Sequence, residues 1–204
     1  MKEKKESRKT RYTRMVLQDS LIELMEKKPI TKITIKELCE NADVNRTTFY
    51  AYYSDQYDLL HKIEKEALSW VKESLINLIG KTDKDERMKV LEKIFQYVIE
   101  NSRHLKILMS EQGDIDFQKQ IFTLIYQQCG ISTFTAANVE LGISEDHFIF
   151  AVSGSVGLLQ HWLKNGINRS AREMAEAIYN MAANSGDFVI PAEILTSADK
   201  IKRH

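Results

Sequence analysis

Apolar residues recur along most of the chain at the spacing of about 3.6 residues that places them on one face of an α-helix. Residues that interrupt helices are few, with two Pro and eight Gly among 204 residues. The pattern therefore predicts an all-α fold. The longer predicted helices span residues 10–26, 55–79, 87–100, 102–110, 117–134, 145–164 and 171–183, with a polar loop at 81–86.

Two shorter helices are predicted between the first and second of these, joined by a tight turn. The hydroxyl of Thr34 is placed to cap the first short helix. Asn41 and Asp43 then break the apolar stripe, and both residue types tolerate turn conformations. Asn45 is placed to cap the second short helix. This arrangement predicts a helix-turn-helix unit.

The second short helix has an outward face rich in hydrogen-bond donors. Helical geometry sends Val44, Phe49 and Tyr53 towards a core. It sends the opposite set, which contains no Asp or Glu, to the surface: Arg46, Thr47, Tyr50 and Ala51. Donors without repulsive charge suit the phosphate-lined wall of a DNA major groove. A solvated helical hairpin that binds no ligand is the alternative.

The run V-N-R-T-T-F-Y-A-Y-Y-S-D-Q-Y-D-L-L, which begins at Val44, resembles the recognition helix of the TetR family of bacterial transcriptional regulators. The resemblance implies an N-terminal three-helix DNA-binding head and a C-terminal helical domain for dimerisation and effector binding. It also implies a homodimer that binds a pseudo-palindromic double-stranded DNA operator. The predicted DNA-binding residues are Thr34, Asn45, Arg46, Thr47, Thr48, Tyr50, Tyr52 and Gln56.

Within this set, Arg46 and Thr47 are expected at base edges, and Tyr50 at a base or the backbone. The remaining contacts are expected at phosphates, from Thr34, Thr48, Tyr52 and Gln56. Members of the family usually carry Lys where this chain has Gln56. An amide donates a hydrogen bond but releases no counterion, so a shallower salt dependence of DNA binding is expected.

Positive charge is concentrated at the N-terminus, although Lys+Arg and Asp+Glu are equal at 29 each over the whole chain. Residues 1–14 carry a net charge of +5, so the remainder carries −5. A basic arm can reach phosphates or a minor groove, and Arg11 and Arg14 at the start of the first helix are expected to contact phosphate. A disordered solubilising tail is the alternative for residues 1–7.

The run from Phe148 to Gly166 resembles one of the C-terminal domains found behind TetR-type heads, which implies that the last two long helices pair across a two-fold axis. Its small residues would let a second helix approach closely. The predicted interface residues are Ser153, Gly154, Gly157, His161 and Ile178. The uncharged stretch 147–163 is too short and too often interrupted by polar residues for a membrane span.

The family usually holds a small effector in the C-terminal domain. The candidate pocket residues are Trp70, Tyr97, His104, Phe122, Tyr126 and Cys129. Aromatic residues at helical spacing also fit an ordinary core, and the sequence identifies no particular effector. The lack of a charge cluster in these helices favours an uncharged or aromatic ligand.

Enzymatic chemistry is not expected, because the chain contains no Gly-rich phosphate loop, nucleophile elbow or paired-Cys metal spacing. The five His lack metal-ligand spacing, so no catalytic residue, metal or cofactor is assigned. The two Cys, Cys39 and Cys129, are expected to be buried free thiols. No signal peptide is predicted, and a cytoplasmic location is expected.

The predicted organisation is a flexible basic arm at 1–9, a helix-turn-helix domain at 10–55 (about 71 by the family's limits), a helical regulatory and dimerisation domain at 56–184, and a tail at 185–204. The predicted function is a repressor of a nearby operon that a small molecule releases from DNA. Two alternatives are an activator or co-activator that acts through a protein partner, and a helical ligand-binding protein with a vestigial head.

Overall fold

The computed structural model describes residues 7–79, 81, 83–129 and 145–184; the side chains of residues 79, 126, 128, 129, 145–148 and 182–184 are outside that description. All regular structure in these ranges is helical, as predicted. The helices are α1 (Arg8–Met25), α2 (Ile35–Asn41), α3 (Arg46–Tyr50), α4 (Gln56–Ile79), α5 (Lys84–Glu100), α6 (Ser102–Leu108), α7 (Ile115–Cys129), α8 (Glu145–Lys164) and α9 (Ala171–Asn184), with a 3₁₀ turn at Ile30–Lys32.

The first three helices form a head around a shared apolar core. Leu21 of α1, Leu38 of α2 and Phe49 of α3 are fully buried in it. A buried hydrogen bond from the Ser20 hydroxyl to the carbonyl of Leu38, 3.0 Å long, fixes α1 against α2. Helix α3 is too short to be stable alone, and its packing into this core holds it in place.

Helix α4 connects the head to the remaining helices, which we call the body (α5–α9). Leu59, Leu60 and Ile63 of its first half are buried in the head core. Its second half packs against α5, and α4 also packs along α7. A displacement of α4 in the body would therefore move part of the head core as well.

The body has a second apolar cluster around Trp162 of α8, which is nearly fully buried. The ring of Phe95 from α5 meets the Trp162 ring edge to face, with centroids 5.9 Å apart. Met174 and Ala175 bring α9 into the same cluster. Among the helices that the structure describes, none combines the length and hydropathy of a membrane-crossing segment.

Three predicted helix starts are corrected, because the caps lie earlier than expected. Helix α1 begins at Arg8, where the hydroxyl of Ser7 accepts the amide of Thr10 at 3.1 Å. Helix α5 begins within the predicted 81–86 loop, because Asp83 accepts the amide of Glu86 at 3.0 Å. Helix α7 begins at Ile115 instead of 117. Residues 1–6 of the predicted arm at 1–9, residues 130–134 of the predicted helix 117–134 and the tail at 185–204 lie outside the described residues.

Candidate DNA-binding face and effector cavity

The helix-turn-helix unit forms from the residues expected to cap and turn it. Thr34 accepts the backbone amide of Glu37 at 3.2 Å, and Asn45 accepts that of Thr47 at 2.8 Å. Between the two helices Asp43 adopts the left-handed conformation, with φ of 52°, which Asp tolerates better than most residues. The amide of Val44 then reaches the carbonyl of Cys39 at 2.9 Å, which closes the turn.

Helix α3 presents the predicted donors on its surface. Phe49 and Tyr53 are buried beneath it, with ring centroids 5.6 Å apart. Arg46 and Thr47 are exposed, and the Tyr50 side chain is 58% exposed. The first turn of α3 contains no acidic residue. The guanidinium of Arg46, the hydroxyl of Thr47 and the phenol of Tyr50 are therefore exposed above two buried aromatic rings.

The other predicted DNA contacts differ in how freely they can reach a ligand. Thr34 and Asn45 are exposed, although each side chain accepts a capping hydrogen bond. Thr48, Tyr52 and Gln56 are half-buried. Tyr52 packs against the head core, so only part of its side chain remains available.

A lysine fixes the junction between α3 and α4, and sequence reasoning missed it. The ammonium of Lys62 donates to the carbonyl of Tyr52 at 2.7 Å and to the carboxylate of Asp58 at 3.0 Å. It also lies 4.8 Å from the centre of the Tyr53 ring. The amide of Ser54 and the ammonium of Lys62 hold the pKa of the Asp58 carboxyl below its usual value.

The two arginines of α1 that were expected to contact phosphate have different surroundings. Arg11 is exposed, as phosphate contact requires. Arg14 instead donates to the carboxylate of Glu66 on α4, which also accepts from the amide of Gln18. This ion pair joins α1 to α4, and the phosphate contact expected for Arg14 stays a prediction.

A cavity of about 270 Å³ lies between the head core and the second apolar cluster. Its walls are mostly aliphatic and aromatic side chains from α4, α5, α7 and α8. Trp70 of α4 and Tyr97 of α5 stack in this wall, with centroids 3.6 Å apart and planes 8° from parallel. Burial raises the pKa of the Tyr97 phenol. The cavity suits an apolar ligand of modest size.

Of the six residues predicted for an effector pocket, Trp70 and Tyr97 line the cavity. His104 does not, because its Nε2 lies 2.9 Å from the carboxylate of Asp19 on α1. Phe122 is half-buried but outside the lining, since Ile121 and Ile125 of the same helix face the cavity. The side chains of Tyr126 and Cys129 lie outside the described residues. Cys39 is a buried free thiol, as expected.

Helix α6 connects the cavity with the head. Leu105, and Met109 just after the helix, line the cavity. On the side towards α1, Arg103 donates twice to the carboxylate of Glu26, at 2.8 and 3.0 Å. The neighbouring His104 contacts Asp19, as described above. One short helix therefore touches both the cavity and the helix that begins the head.

Comparison with known proteins agrees with this geometry. A TetR-type family model described as "Transcriptional regulator C-terminal region" matches residues 85–184. The chain is also 21% identical over 109 residues to the uncharacterized HTH-type transcriptional regulator YxbF of Bacillus subtilis, covering 52% of this chain and 29% of that protein. This chain thus spans less than a third of YxbF. The match over residues 85–184 and the HTH-type relative support a TetR-family transcriptional regulator.

Solved structures share the TetR-family fold at low sequence identity. The regulator FadR from Bacillus subtilis, solved in complex with stearoyl-CoA, has a TM-score of 0.59 at 13% identity, over 83% of this chain and 97% of FadR. A TetR transcriptional regulator from Streptococcus agalactiae 2603V has a TM-score of 0.52 at 20% identity, over 86% of this chain and 96% of that one. Both matches cover more than four fifths of this chain.

The predicted dimer residues of this TetR-family chain fall into two groups. Ser153, Gly154, Gly157 and His161 are exposed on α8. A side chain added at either glycine would meet nothing within 4 Å, so this surface is open. Ile178 is different, because it is half-buried and lines the cavity, and its interface role stays a prediction.

Proposed function

We propose that this TetR-family regulator is a homodimeric repressor of a nearby operon, and that it binds a pseudo-palindromic operator through α3. The observation that carries the proposal is the exposed donor set of Arg46, Thr47 and Tyr50 above a buried aromatic base. Two such heads in a symmetric dimer would read two half-sites separated by about one helical turn or a multiple of it.

We further propose that the cavity holds a small effector with an apolar body. Its described lining is dominated by carbon-rich side chains, with Ser74, Ser155, Tyr97, Tyr179 and Arg87 as polar members. Arg87 is the one charged residue among the described lining. FadR, which shares the fold, was solved with stearoyl-CoA; for this chain the support for an apolar ligand is the chemistry of the cavity itself.

Two helices provide a mechanical connection between effector and DNA. Helix α4 lines the cavity through Ala67, Trp70 and Val71 and enters the head core through Leu59 and Leu60. Helix α6 lines the cavity and pairs with α1, as shown above. An effector that prefers one arrangement of α4 and α6 changes the separation of the two heads. It weakens operator binding only by its difference in affinity for the two arrangements.

The test uses fluorescence anisotropy with duplexes that tile the region upstream of the protein's own operon. We expect tight, salt-dependent binding to one palindromic segment and release by a ligand from a set that pairs long-chain alcohols with the matching carboxylates and aromatic compounds. Absence of DNA binding in every ligand state would instead support the vestigial head. Loss of transcription on deletion of the gene would support the activator.

A further inference from the structure

Helix α4 carries two members of a group of metal-ligating side chains, and no member of the group belongs to the exposed donor set of α3 or to the cavity lining. His61 and Glu64 lie three residues apart on α4, which places them on one face of the helix. Asp114, immediately before α7, completes the group. One ligand atom from each residue lies within 4.8 Å of the ligand atoms of the other two.

Glu64 shows that this group is more than a cluster of surface charges. It is only 5% exposed, and it is the buried acidic residue among the described positions. Its Oε2 lies 3.0 Å from Nδ1 of His61, but its Oε1 is buried without a hydrogen-bond partner. A buried carboxylate oxygen without a partner is unfavourable, because it has lost its hydration without a replacement hydrogen bond, so a ligand at this oxygen would stabilise the folded chain. Burial and the nearby Asp114 raise the pKa of Glu64.

We propose that His61, Glu64 and Asp114 form a binding site for a divalent transition-metal ion, with Zn²⁺ as the best match. One imidazole and two carboxylates are the donor types that zinc takes in three-ligand sites, with water in the fourth position. Mg²⁺ and Ca²⁺ prefer sites made of oxygen ligands alone. The proposal does not rest on the proposed repressor function, since none of the three residues belongs to the exposed donor set of α3 or to the cavity lining.

To bind one ion, the ligand atoms of the three side chains must come closer together than they are in this structure. Zinc bonds of about 2.0–2.1 Å in a tetrahedron place ligand atoms roughly 3.4 Å apart. His61 is exposed and Asp114 is half-buried, so both can rotate towards the fixed Glu64. Asp114 already accepts the amide of Asp116 at 2.8 Å through Oδ1, which leaves its second oxygen for the metal.

The experiment is calorimetric titration of the untagged, chelator-treated full chain with Zn²⁺, Co²⁺, Mn²⁺ and Mg²⁺, supported by the visible absorption spectrum of bound Co²⁺. We expect one Zn²⁺ per chain, a cobalt spectrum of low-coordinate type, and no comparable binding of Mg²⁺. Glu64→Gln keeps the shape of the buried side chain, Asp114→Asn keeps the α7 cap, and His61→Ala changes an exposed residue. Each should weaken Zn²⁺ binding by at least about tenfold.

Two controls separate this site from adventitious binding. Glu73→Gln removes an exposed carboxylate on α4, and Asp116→Asn removes an exposed carboxylate two residues from Asp114. Both should leave Zn²⁺ affinity within about twofold, and Zn²⁺ should raise the melting temperature of these controls as it does for the wild type. Failure of the wild type to bind any of the four ions at 1:1, or full affinity in both Glu64→Gln and His61→Ala, would overturn the proposal. The Zn²⁺ titration involves no DNA, so its outcome is separate from the outcome of the test of the repressor proposal.

Discussion

The ammonium of Lys62 donates to the carbonyl oxygen of Tyr52 at 2.7 Å, so a side chain of α4 holds the chain that follows the DNA-binding helix α3. The same ammonium pairs with Asp58 and lies over the ring of Tyr53. Lys62 is half-buried, and its contacts span both sides of the α3–α4 corner. Lys62 therefore fixes the angle between α3 and α4.

Replacement of Lys62 by Met should therefore loosen that corner. Lys62→Met keeps most of the aliphatic stem but removes the hydrogen bond and the ion pair. We expect a loss of about 1 kcal/mol in the free energy of unfolding, measured by urea denaturation. Lys65→Met, at an exposed position on the same helix, is the matched control and should change stability by less than about 0.5 kcal/mol. Equal stability of the two variants would contradict the structural role.

Gln56 is the first residue of α4, at the position where the resemblance to the TetR family implies a phosphate-binding lysine. Gln56→Lys should steepen the slope of log affinity against log salt by about 0.9 for each lysine that reaches a phosphate. The measurement is operator binding by anisotropy over a salt series. Gln96→Lys on the exposed face of α5 adds the same charge away from the head and should not change the slope. An unchanged slope in Gln56→Lys would show that this position does not face the DNA backbone.

The ion pair between Glu26 and Arg103 should contribute to the coupling between effector binding in the cavity and DNA binding by the head. Both side chains are more than a third exposed, so Arg103→Ala should change stability by no more than about 1 kcal/mol. We expect it to reduce the ligand-induced loss of operator affinity by about 0.5 kcal/mol or more, while ligand affinity itself stays near the wild-type value. Arg172→Ala breaks a similar exposed pair with Glu176 on α9 and should leave the coupling intact. Identical coupling in Arg103→Ala would exclude α6 as the connection.

The exposed stripe on α8 should form the dimer interface. Phe150 is 71% exposed there, on the same helix as the open surface at Gly154 and Gly157. Phe150→Glu and Gly157→Arg should convert the dimer to monomer at micromolar concentrations, measured by sedimentation velocity, because each buries a charge in the interface. The added side chain at Gly157 has open space in the single chain, so the variant should still fold. Gln120→Glu, at an exposed position on α7, should remain dimeric; dimeric Phe150→Glu and Gly157→Arg would place the interface elsewhere.

The head was predictable in detail because its signals are local. Caps at Thr34 and Asn45, the turn at Asp43 and the inward direction of Phe49 all depend on neighbours within a few residues. Those local rules are the ones that sequence patterns encode directly.

The contacts that were missed depend on how distant helices pack. His104 contacts Asp19, which is 85 residues away in the sequence. Nothing in the local sequence around His104 indicates a partner on α1. Helical phase separates inward from outward positions but does not distinguish a filled core from a cavity. This is why the sequence did not indicate that Ile178 lines the cavity, or that Phe122 lies outside its lining. The His61–Glu64 spacing is visible in the sequence, whereas Asp114 joins it only through the packing of α4 beside α7.

The most direct test of the account is operator binding by Arg46→Ala, because an exposed Arg46 at the start of α3 is expected to contact a base edge. The measurement is anisotropy with the operator and with duplexes that carry single base-pair changes in each half-site. Thr34→Ala is the control and should weaken all sequences alike, as a phosphate contact would. We expect Arg46→Ala to lose about 1–3 kcal/mol of binding free energy and to lose discrimination at one base pair of each half-site. Equal weakening on every sequence, or no weakening at all, would contradict it.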